Sequence, residues 1–510
     1  MTKPQTESAS LSNILRYNIS SQLVGRLFTF LINIYLIRFV DGDVLGLINV
    51  RLTLLYTTIG FLCTEPLRKT CLSADLRVHE AVKYAWLSPV FGFGIASFLA
   101  VIWSHLPVQG GAVAYDDYEV LVFYFAFAAF LETMAEPLAI MTIKTGDNAT
   151  YAISLSVLLI SNKFTVLLLL LYGVESKSVL CLGQIVGSVI YTLIYYVKFI
   201  RAYLAKRLNY LPWPHLRMGY DMQHLKSIGA LLFHSVQKQL ITEGAAYIMT
   251  FTQQLSFTEQ AVYDAIDRLG SLVTRIVLRP LEESCAVYFS SHFERNRTSI
   301  VPPKLLELFK TLCRILITLG LVVCVFSIPY SKLAVTIYGG KLLTENQGAL
   351  LLSMYSFFLV VMAVNGTVEC FAFSTLDASS IMKHARFLLI ASVVHLFANI
   401  VLLKMIGASG FIVANIAHML FRIGYNWRDI KRLPNAHMLE FSSVLPDMTF
   451  FTLLLVSLVI TGLSGLIFAT TPGLVYTGAH LAVGGVMFIL IMAYLHQNGE
   501  LYQKLWEKLD

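Results

Sequence analysis

Charged side chains are scarce in this sequence. Asp, Glu, Lys and Arg make up 14% of its 510 residues, whereas 56% are hydrophobic and the mean hydropathy is +0.68. Because roughly a quarter of the residues in globular domains are charged, this composition excludes a water-soluble globular chain. Many apolar runs also reach the roughly 20 residues that a helix needs to cross a bilayer. The composition therefore predicts an all-α polytopic membrane protein.

Motifs of catalysis and energy conversion are also missing. There is no phosphate-binding G-x-x-x-x-G-K-[ST] loop, no H-E-x-x-H, no G-x-S-x-G and no cysteine pair at zinc-ligand spacing. The seven cysteines lie in or beside apolar segments, as small buried residues do. We therefore expect no enzyme activity, no catalytic residue, no metal, no cofactor and no nucleic-acid partner. Any transport would run downhill or be coupled to an ion.

Apolar windows separated by helix breakers predict about fourteen transmembrane helices. The predicted spans are 15–40, 44–64, 79–104, 118–143, 150–172, 177–203, 226–252, 258–292, 304–328, 348–374, 385–404, 408–428, 445–468 and 474–496. The widest polar interruption is basic and is expected to lie on the cytoplasmic surface. The predicted organisation is a six-helix lobe, an amphipathic linker, a second six-helix lobe and two C-terminal helices with a tail: 1–203, 204–225, 226–430 and 431–510.

Basic residues are divided unevenly between the two sides of the predicted spans. The side of the N-terminus carries most of them, including Arg68, Arg201 and Arg428. The opposite side has few, and its loop at 105–117 is acidic. Because cytoplasmic loops carry the excess of Lys and Arg, both termini are expected to be cytoplasmic.

Two charged segments repeat one pattern with the signs exchanged. EPLRKTC at 65–71 and RPLEESC at 279–285 share Pro, Leu and Cys in register, whereas basic positions of one are acidic in the other. Each segment ends the second predicted span of its half, which indicates parallel repeats about an axis along the membrane normal. The two lobes are therefore expected to be pseudo-symmetric.

Exchanged charges in two lobes suit a cytoplasmic gate, because Arg68 would attract Glu282 when that side closes. The residues predicted to form gate or ion pairs are ionisable and lie in or beside spans: Arg38, Glu65, Arg68, Lys69, Lys238, Glu243, Arg279, Glu282 and Glu283. The alternative is pairing within each lobe at helical spacing, as between Glu65 and Arg68.

A charge at the bilayer centre costs about 2.5–3.5 kcal/mol on insertion scales, so it normally faces a partner or a wet cavity. Five basic residues lie in spans of both halves, at mid-membrane or in the far half: Arg26, Arg51, Lys163, Arg268 and Arg275. This excess of cations predicts a site for a multivalent anion, most naturally a diphosphate. The alternative is that they pair with acids such as Glu132, Glu136 and Glu243.

The predicted span 258–292 is the most charged. Its residues Asp264, Arg268, Arg275 and Glu282 fall on one face at helical spacing. A charged stripe of this length cannot face lipid, so it predicts a cavity or cleft between the lobes.

Three histidines lie alone in apolar spans: His395, His418 and His480. Each is expected to be a satisfied core histidine, or one at headgroup level. A proton relay is the alternative interpretation.

A family resemblance rests on segments spread along the chain. They are INVRLTLLY (48–56), EPLRKTC (65–71), QKQLITEG (237–244), YIMTF (247–251), VYDAIDRLGSLVTRIVLRPLEES (262–284), IYGG (337–340), NGTVECFAF (365–373) and GFIVAN (410–415). Over roughly 15–495 the chain resembles the eukaryotic oligosaccharide translocation proteins of the endoplasmic reticulum, within the multidrug/oligosaccharidyl-lipid/polysaccharide exporter superfamily. Arg268 departs from the resemblance, because relatives commonly have Asn there.

The resemblance implies a protein of the endoplasmic-reticulum membrane with two six-helix lobes around a central cavity. It also implies movement of a mannose-rich oligosaccharide-diphosphate-dolichol from the cytosolic to the lumenal leaflet. We expect this to proceed by alternating access without ATP hydrolysis. The expected partners are that glycolipid and the bilayer, and the expected state is a monomer. Two alternatives stay open: a non-transporting factor of the same pathway, and a cation-coupled exporter of small molecules.

Overall fold

The computed structural model is helical throughout its regular elements. It describes residues 29–73, 76–108, 117–206, 220–278, 301–375, 378–433, 439–468 and 473–497, together with the single positions 282, 289 and 436. No strand occurs among these residues. The predicted all-α class is confirmed. Arg26, Arg279, Glu283 and most of the predicted linker lie outside the described residues.

The chain forms two compact units, Met1–Ala261 and Val262–Asp510. The helices of the first unit are α1 (Thr29–Phe39), α2 (Gly42–Cys71), α3 (Val78–Ala85), α4 (Leu87–Ser104), α5 (Tyr118–Lys144), α6 (Asn148–Leu171), α7 (Ser176–Leu204), α8 (Met222–Thr242) and α9 (Gly244–Thr252). The sequence assigned 226–252 to the second lobe, whereas α8 packs along α2 within the first unit.

The boundary between the units falls inside α10 (Phe257–Val273), which continues as a π-helical turn at Thr274–Leu278. The second unit then contains α11 (Pro303–Gly339), α12 (Lys341–Glu345), α13 (Gly348–Thr375), α14 (Ala378–Ile406), α15 (Ser409–Lys431), a 3₁₀ turn at Phe441–Val444, α16 (Met448–Phe468) and α17 (Leu474–Gln497).

Ten helices in the described part of the chain are long and apolar enough to cross a membrane. This supports the prediction of a multi-pass protein, and the predicted total of about fourteen is not confirmed by the described residues. Three predicted spans, 118–143, 150–172 and 177–203, agree with α5, α6 and α7 to within about two residues. Each is a mainly apolar run of more than 20 residues, long enough to cross a bilayer as a helix.

Predicted span 226–252 is interrupted near its end. Helix α8 ends at Thr242, Glu243 has the non-helical angles φ −103° and ψ 21°, and α9 begins at the buried Gly244. Conversely, α11 continues past Pro329 to Gly339, beyond the end of the predicted span 304–328. A proline costs a helix only its own N–H bond and a clash one turn back, which packing against α13 and α16 can offset.

Helix α2 approaches the end of the first unit very closely. A Cβ atom on Gly46 would lie 1.8 Å from the backbone oxygen of Phe257, so only glycine allows this backbone contact. Asp43, one turn earlier, accepts hydrogen bonds from both the backbone N–H and the hydroxyl of Thr258, at 3.1 and 2.6 Å. These contacts fix the first turns of α2 against the start of α10.

The turn between α5 and α6 is held by a capping aspartate. Asp147 accepts the backbone N–H of Thr150 at 3.1 Å and binds the ammonium of Lys198 on α7 at 2.5 Å. The hydrogen bond from Lys198 lowers the pKa of the Asp147 carboxyl. One aspartate therefore caps α6 and joins it to α7.

Candidate functional site

Arg51 lies in the interior of the first unit. It sits on the π-helical turn Leu47–Leu52 of α2 and is 1% exposed. Its terminal nitrogens donate to the backbone oxygens of Pro107 and Thr250, at 3.1 and 3.4 Å. Its guanidinium carbon is 4.9 Å from the centroid of the Phe257 ring. The donors that a diphosphate would need are thus directed at backbone carbonyls.

The backbone around Arg51 is equally well fixed. The indole N–H of Trp103 donates to the backbone oxygen of Arg51 at 3.1 Å, and the Tyr118 hydroxyl donates to the backbone oxygen of Trp103 at 3.0 Å. Arg51 therefore joins α2 to the ends of α4 and α9, which is the arrangement of a structural arginine.

Arg68 forms an ion pair with a buried carboxylate. It binds both carboxylate oxygens of Glu136 on α5, one of them at 2.7 Å, and donates to the Tyr151 hydroxyl on α6 at 2.7 Å. Glu136 is 1% exposed. A two-pronged arginine–carboxylate contact at a buried acid is both directional and strong. Arg68 thus joins α2, α5 and α6.

Glu132 lies one turn before Glu136 and is held by hydroxyl groups. Tyr56 on α2 and Ser188 on α7 donate to the same carboxylate oxygen, at 2.5 and 2.6 Å. The two glutamates, with Arg68, make a polar core between α2, α5 and α7. Pairing of these acids with one of the five basic residues, such as Arg26, was the alternative to a ligand site. Arg26 lies outside the described residues, and Glu136 is paired with Arg68.

Glu65 lies between two lysines. Its carboxylate is 3.1 Å from the ammonium of Lys69, one turn along α2, and 3.0 Å from that of Lys238 on α8. The lysine side chains are 41% and 47% exposed. The Lys238 ammonium also lies 5.2 Å from the centroid of the Phe61 ring. These three ionic groups form an accessible cluster with one net positive charge, which we call the α2–α8 basic cluster.

The remaining predicted residues of the first unit are spread over it. Arg38 is exposed on α1, Lys163 is half-buried on α6, and Glu243 is half-buried at the break between α8 and α9. The structure thus brings Glu65, Lys69 and Lys238 together.

In the second unit, the charges of α10 are paired locally. Arg268 binds Asp264 one turn earlier, at 2.8 Å, and Asp267 accepts the Tyr355 hydroxyl of α13 at 3.1 Å. Glu282 lies against α13, where a Cβ atom on Gly366 would meet its carboxylate. The Arg275 side chain lies outside the described part of the structure. Arg268 is thus largely neutralised, whereas the sequence treated it as a cation for a ligand.

Two of the three histidines that the sequence treated as isolated are in contact. The rings of His395 on α14 and His418 on α15 stack with centroids 4.5 Å apart. His480 is separate and hydrogen-bonds Ser464 at 2.9 Å. The sequence contains a hint of this contact. Asn399 follows His395 by four residues on one helix, and Arg422 follows His418 by four residues on the next, so each pair lies on one face of its helix.

No group of three or more His, Cys, Asp or Glu side chains in the described part of the chain could hold a metal ion. The polar groups inside its helix bundles are ion pairs, hydroxyls and amides. The described helices, with a buried polar core and an accessible basic cluster, are those of a multi-pass membrane protein.

Solved structures support this class. A MATE family multidrug resistance transporter of the MOP superfamily, in an inward-facing conformation, matches with a TM-score of 0.61 at 12% identity, over 80% of this chain and 95% of that one. The lipid II flippase MurJ, in an inward closed conformation, matches with a TM-score of 0.61 at 12% identity, over 94% and 99%. At this identity the likeness shows the fold alone. The chain has the fold of these MOP-superfamily transporters.

Sequence comparison gives the family. The Caenorhabditis elegans protein named Man(5)GlcNAc(2)-PP-dolichol translocation protein RFT1 is 36% identical over 98% of this chain and 99% of its own length. The Xenopus tropicalis protein of the same name is 29% identical over 94% and 93%. A family model described as Rft protein matches residues 10–508. The chain belongs to the Rft protein family, which confirms the resemblance found in its sequence, and it is a multi-pass membrane protein.

Proposed function

We propose that this protein translocates a dolichol-linked oligosaccharide diphosphate between the leaflets of the endoplasmic-reticulum membrane. The observation that carries the proposal is the full-length similarity to relatives named for the translocation of Man(5)GlcNAc(2)-PP-dolichol. The fold shared with a lipid II flippase supports it, because that name also describes the flipping of a lipid. The protein acts as a transporter rather than an enzyme, without a cofactor.

The α2–α8 basic cluster is the place where the first unit would receive the diphosphate. Its two ammonium groups are accessible and share a single carboxylate, so a phosphate oxygen can replace Glu65 as the partner of one lysine. Arg51 and Arg268 stay in the proposed site, where a diphosphate would have to compete with the contacts of Arg51 to two backbone oxygens and of Arg268 to Asp264. Arg26, Lys163 and Arg275 remain proposed members of the site.

The direction of transport is proposed from the charge distribution. The excess of Lys and Arg on the side of the N-terminus supports cytoplasmic termini, and the α2–α8 basic cluster then lies towards the cytosolic leaflet. The glycolipid would enter from that leaflet and leave into the lumenal one by alternating access. ATP hydrolysis is not proposed, since the sequence has no nucleotide-binding loop.

Reconstitution of the purified protein tests the proposal. Liposomes that contain the protein and a labelled Man(5)GlcNAc(2)-PP-dolichol should exchange it between leaflets faster than protein-free liposomes. Lys238→Glu changes the net charge of the α2–α8 basic cluster from positive to negative. It should slow the exchange about tenfold or more, because a charge-assisted contact to phosphate is lost.

Lys304→Glu is the matched control, since Lys304 is exposed at the start of α11 and the charge changes by the same amount. It should leave the exchange rate unchanged. If the wild-type protein does not accelerate exchange at all, direct translocation is excluded and the accessory role stands in its place. If Lys238→Glu and Lys304→Glu slowed the exchange equally, the α2–α8 basic cluster would have no specific role in binding the substrate.

A further inference from the structure

A line of buried and half-buried polar side chains lies in the second unit, where α13 and α14 both pack on α15. We call it the polar seam and define it by the residues Glu369 on α13, His395 and Asn399 on α14, and Asn415, His418 and Arg422 on α15. The α15 members are three and four residues apart and therefore share one face. An apolar face would be expected at such a helix contact.

Several polar atoms of this region are buried without a hydrogen-bond partner in the described part of the chain. They are Asn399 Oδ1, His418 Nε2 and Arg422 Nε in the seam, together with both ring nitrogens of His384 and both amide atoms of Asn426. Asn399 is 1% exposed. A buried polar atom without a partner costs about 1–3 kcal/mol, and ordered water normally satisfies such atoms. The seam is therefore built to hold water.

The centre of the seam is the stacked histidine pair. The His395 and His418 rings are nearly parallel, with an interplanar angle of 12° and centroids 4.5 Å apart. Two imidazolium ions at this distance would repel each other strongly. The pair can therefore bind one proton, but not two.

The contacts of His395 Nε2 are suited to a change of protonation state. Asn415 Oδ1 lies 2.8 Å away and can only accept a hydrogen bond, so it requires a proton on Nε2. Asn399 Nδ2 lies 3.1 Å away and donates, so it requires a lone pair there. Rotation of the Asn399 amide would bring its unpartnered oxygen to Nε2, and a protonated nitrogen would then face two oxygens.

Charged groups on the neighbouring helices set the proton affinity of the pair. The charged group that acts on both rings is Arg422 on α15. Glu369 on α13 and Asp429 on α15 act on the neighbouring His384, and Asp264 and Asp267 on α10 act on Tyr263, which hydrogen-bonds Asn415. Arg422 would repel a proton on the imidazoles, but its guanidinium is 2.5 Å from Glu369. This ion pair offsets the repulsion.

We infer that the polar seam is a proton-binding site, in which the His395–His418 pair takes up one proton and ordered water fills the unpartnered donors and acceptors. The proton arrives through this water, binds at a ring nitrogen of the pair and is stabilised by the oxygens of Asn399 and Asn415. The site concerns proton binding itself, so it stands independently of the substrate that the protein moves.

Nuclear magnetic resonance of the full-length protein in lipid nanodiscs, with ¹⁵N-labelled histidine, tests the inference. The chain has 12 histidines, so the signals of the pair are assigned from His395→Gln and His418→Gln. Between about pH 8 and pH 4, the range in which histidines titrate, the two signals should change together and account for about one proton. Their exchange with water protons should be measurable because the seam is hydrated.

Two further variants separate the seam from general effects on the fold. Glu369→Gln leaves the charge of Arg422 without its partner. The titration midpoint of the His395–His418 pair should therefore fall by about one pH unit, which is a tenfold loss of proton affinity. His480→Gln is the control, since His480 lies on α17 and contacts Ser464 and Tyr330 instead. It should leave that midpoint unchanged.

Folded protein in which both rings remain neutral over the whole range overturns the inference. An unchanged midpoint in folded Glu369→Gln overturns it as well, because the Arg422–Glu369 pair would then have no influence on the histidines. If Glu369→Gln fails to fold, the titration of the wild-type pair decides alone.

Discussion

Replacing Arg68 with alanine is expected to lower the free energy of unfolding by about 3–5 kcal/mol, the cost of breaking a buried ion pair by removing one partner. Arg68 binds both oxygens of Glu136 and also donates to the Tyr151 hydroxyl. Glu136 cannot reach solvent when the arginine is gone, since it is 1% exposed. Denaturant titration of the purified protein in detergent micelles measures the change.

Lys69→Ala is the matched control for Arg68→Ala, because the adjacent lysine is 41% exposed and its ion pair with Glu65 is accessible to water. Its effect should stay below about 1 kcal/mol. Adding Glu136→Gln to Arg68→Ala should recover part of the lost stability, since a neutral amide replaces the unpaired carboxylate. Equal losses in Arg68→Ala and Lys69→Ala would contradict the importance of the buried pair.

The same pair makes the proposed cytoplasmic gate testable. If Arg68 pairs with Glu136, the charge reversal Arg68→Glu should be rescued in part by Glu136→Arg and not by Glu282→Arg. A gate formed by Arg68 with Glu282 predicts the opposite result. Measuring the protein yield and thermal stability of the two double variants side by side decides between them.

Replacing Arg51 with alanine is expected to cost about 2–4 kcal/mol of stability. The backbone oxygens of Pro107 and Thr250 would lose their donor, and each unsatisfied buried group costs about 1–3 kcal/mol. Arg51→Lys keeps the charge but not the planar guanidinium that reaches both oxygens. Its stability should therefore lie between that of the wild type and that of Arg51→Ala. Thermal unfolding in detergent is the measurement.

Arg201→Ala is a suitable control for Arg51→Ala, because Arg201 is exposed near the end of α7. It should leave stability unchanged to within about 0.5 kcal/mol. The result also assigns a role to Arg51. A substrate-binding arginine should give a variant that is as stable as wild type and defective only in transport, whereas a structural arginine should give an unstable one.

The lengths of the helices could be predicted, because an apolar run reports how far a helix can extend in lipid. This explains the agreement for α5, α6 and α7. The break at Glu243 was harder to see, since Gly244 and a single acid within an apolar run are compatible with a continuous helix. The continuation of α11 beyond Pro329 depends on packing, which the local sequence does not contain.

Partner choice was less predictable than helix position. Sequence spacing offered Glu65 to Arg68, whereas the structure pairs Arg68 with Glu136 and places Glu65 between Lys69 and Lys238. These contacts cross from α2 to α5 and α8, and no local pattern defines which helices become neighbours. The sequence therefore showed that each charged side chain within a span needs a partner, but it did not show which residue that partner is.

The length of α11 has a consequence for experiments on membrane topology. At 1.5 Å per residue, its 37 residues extend about 55 Å, well beyond the roughly 30 Å of the hydrocarbon layer. The helix therefore extends beyond the hydrocarbon layer, and Lys332, in its last turns, is exposed. The native cysteines of the described chain are buried or half-buried, so with Cys285 replaced by serine, a single cysteine introduced at Lys332 should react selectively with a membrane-impermeant reagent. Its labelling would identify the compartment at that end of the helix and so orient the whole molecule.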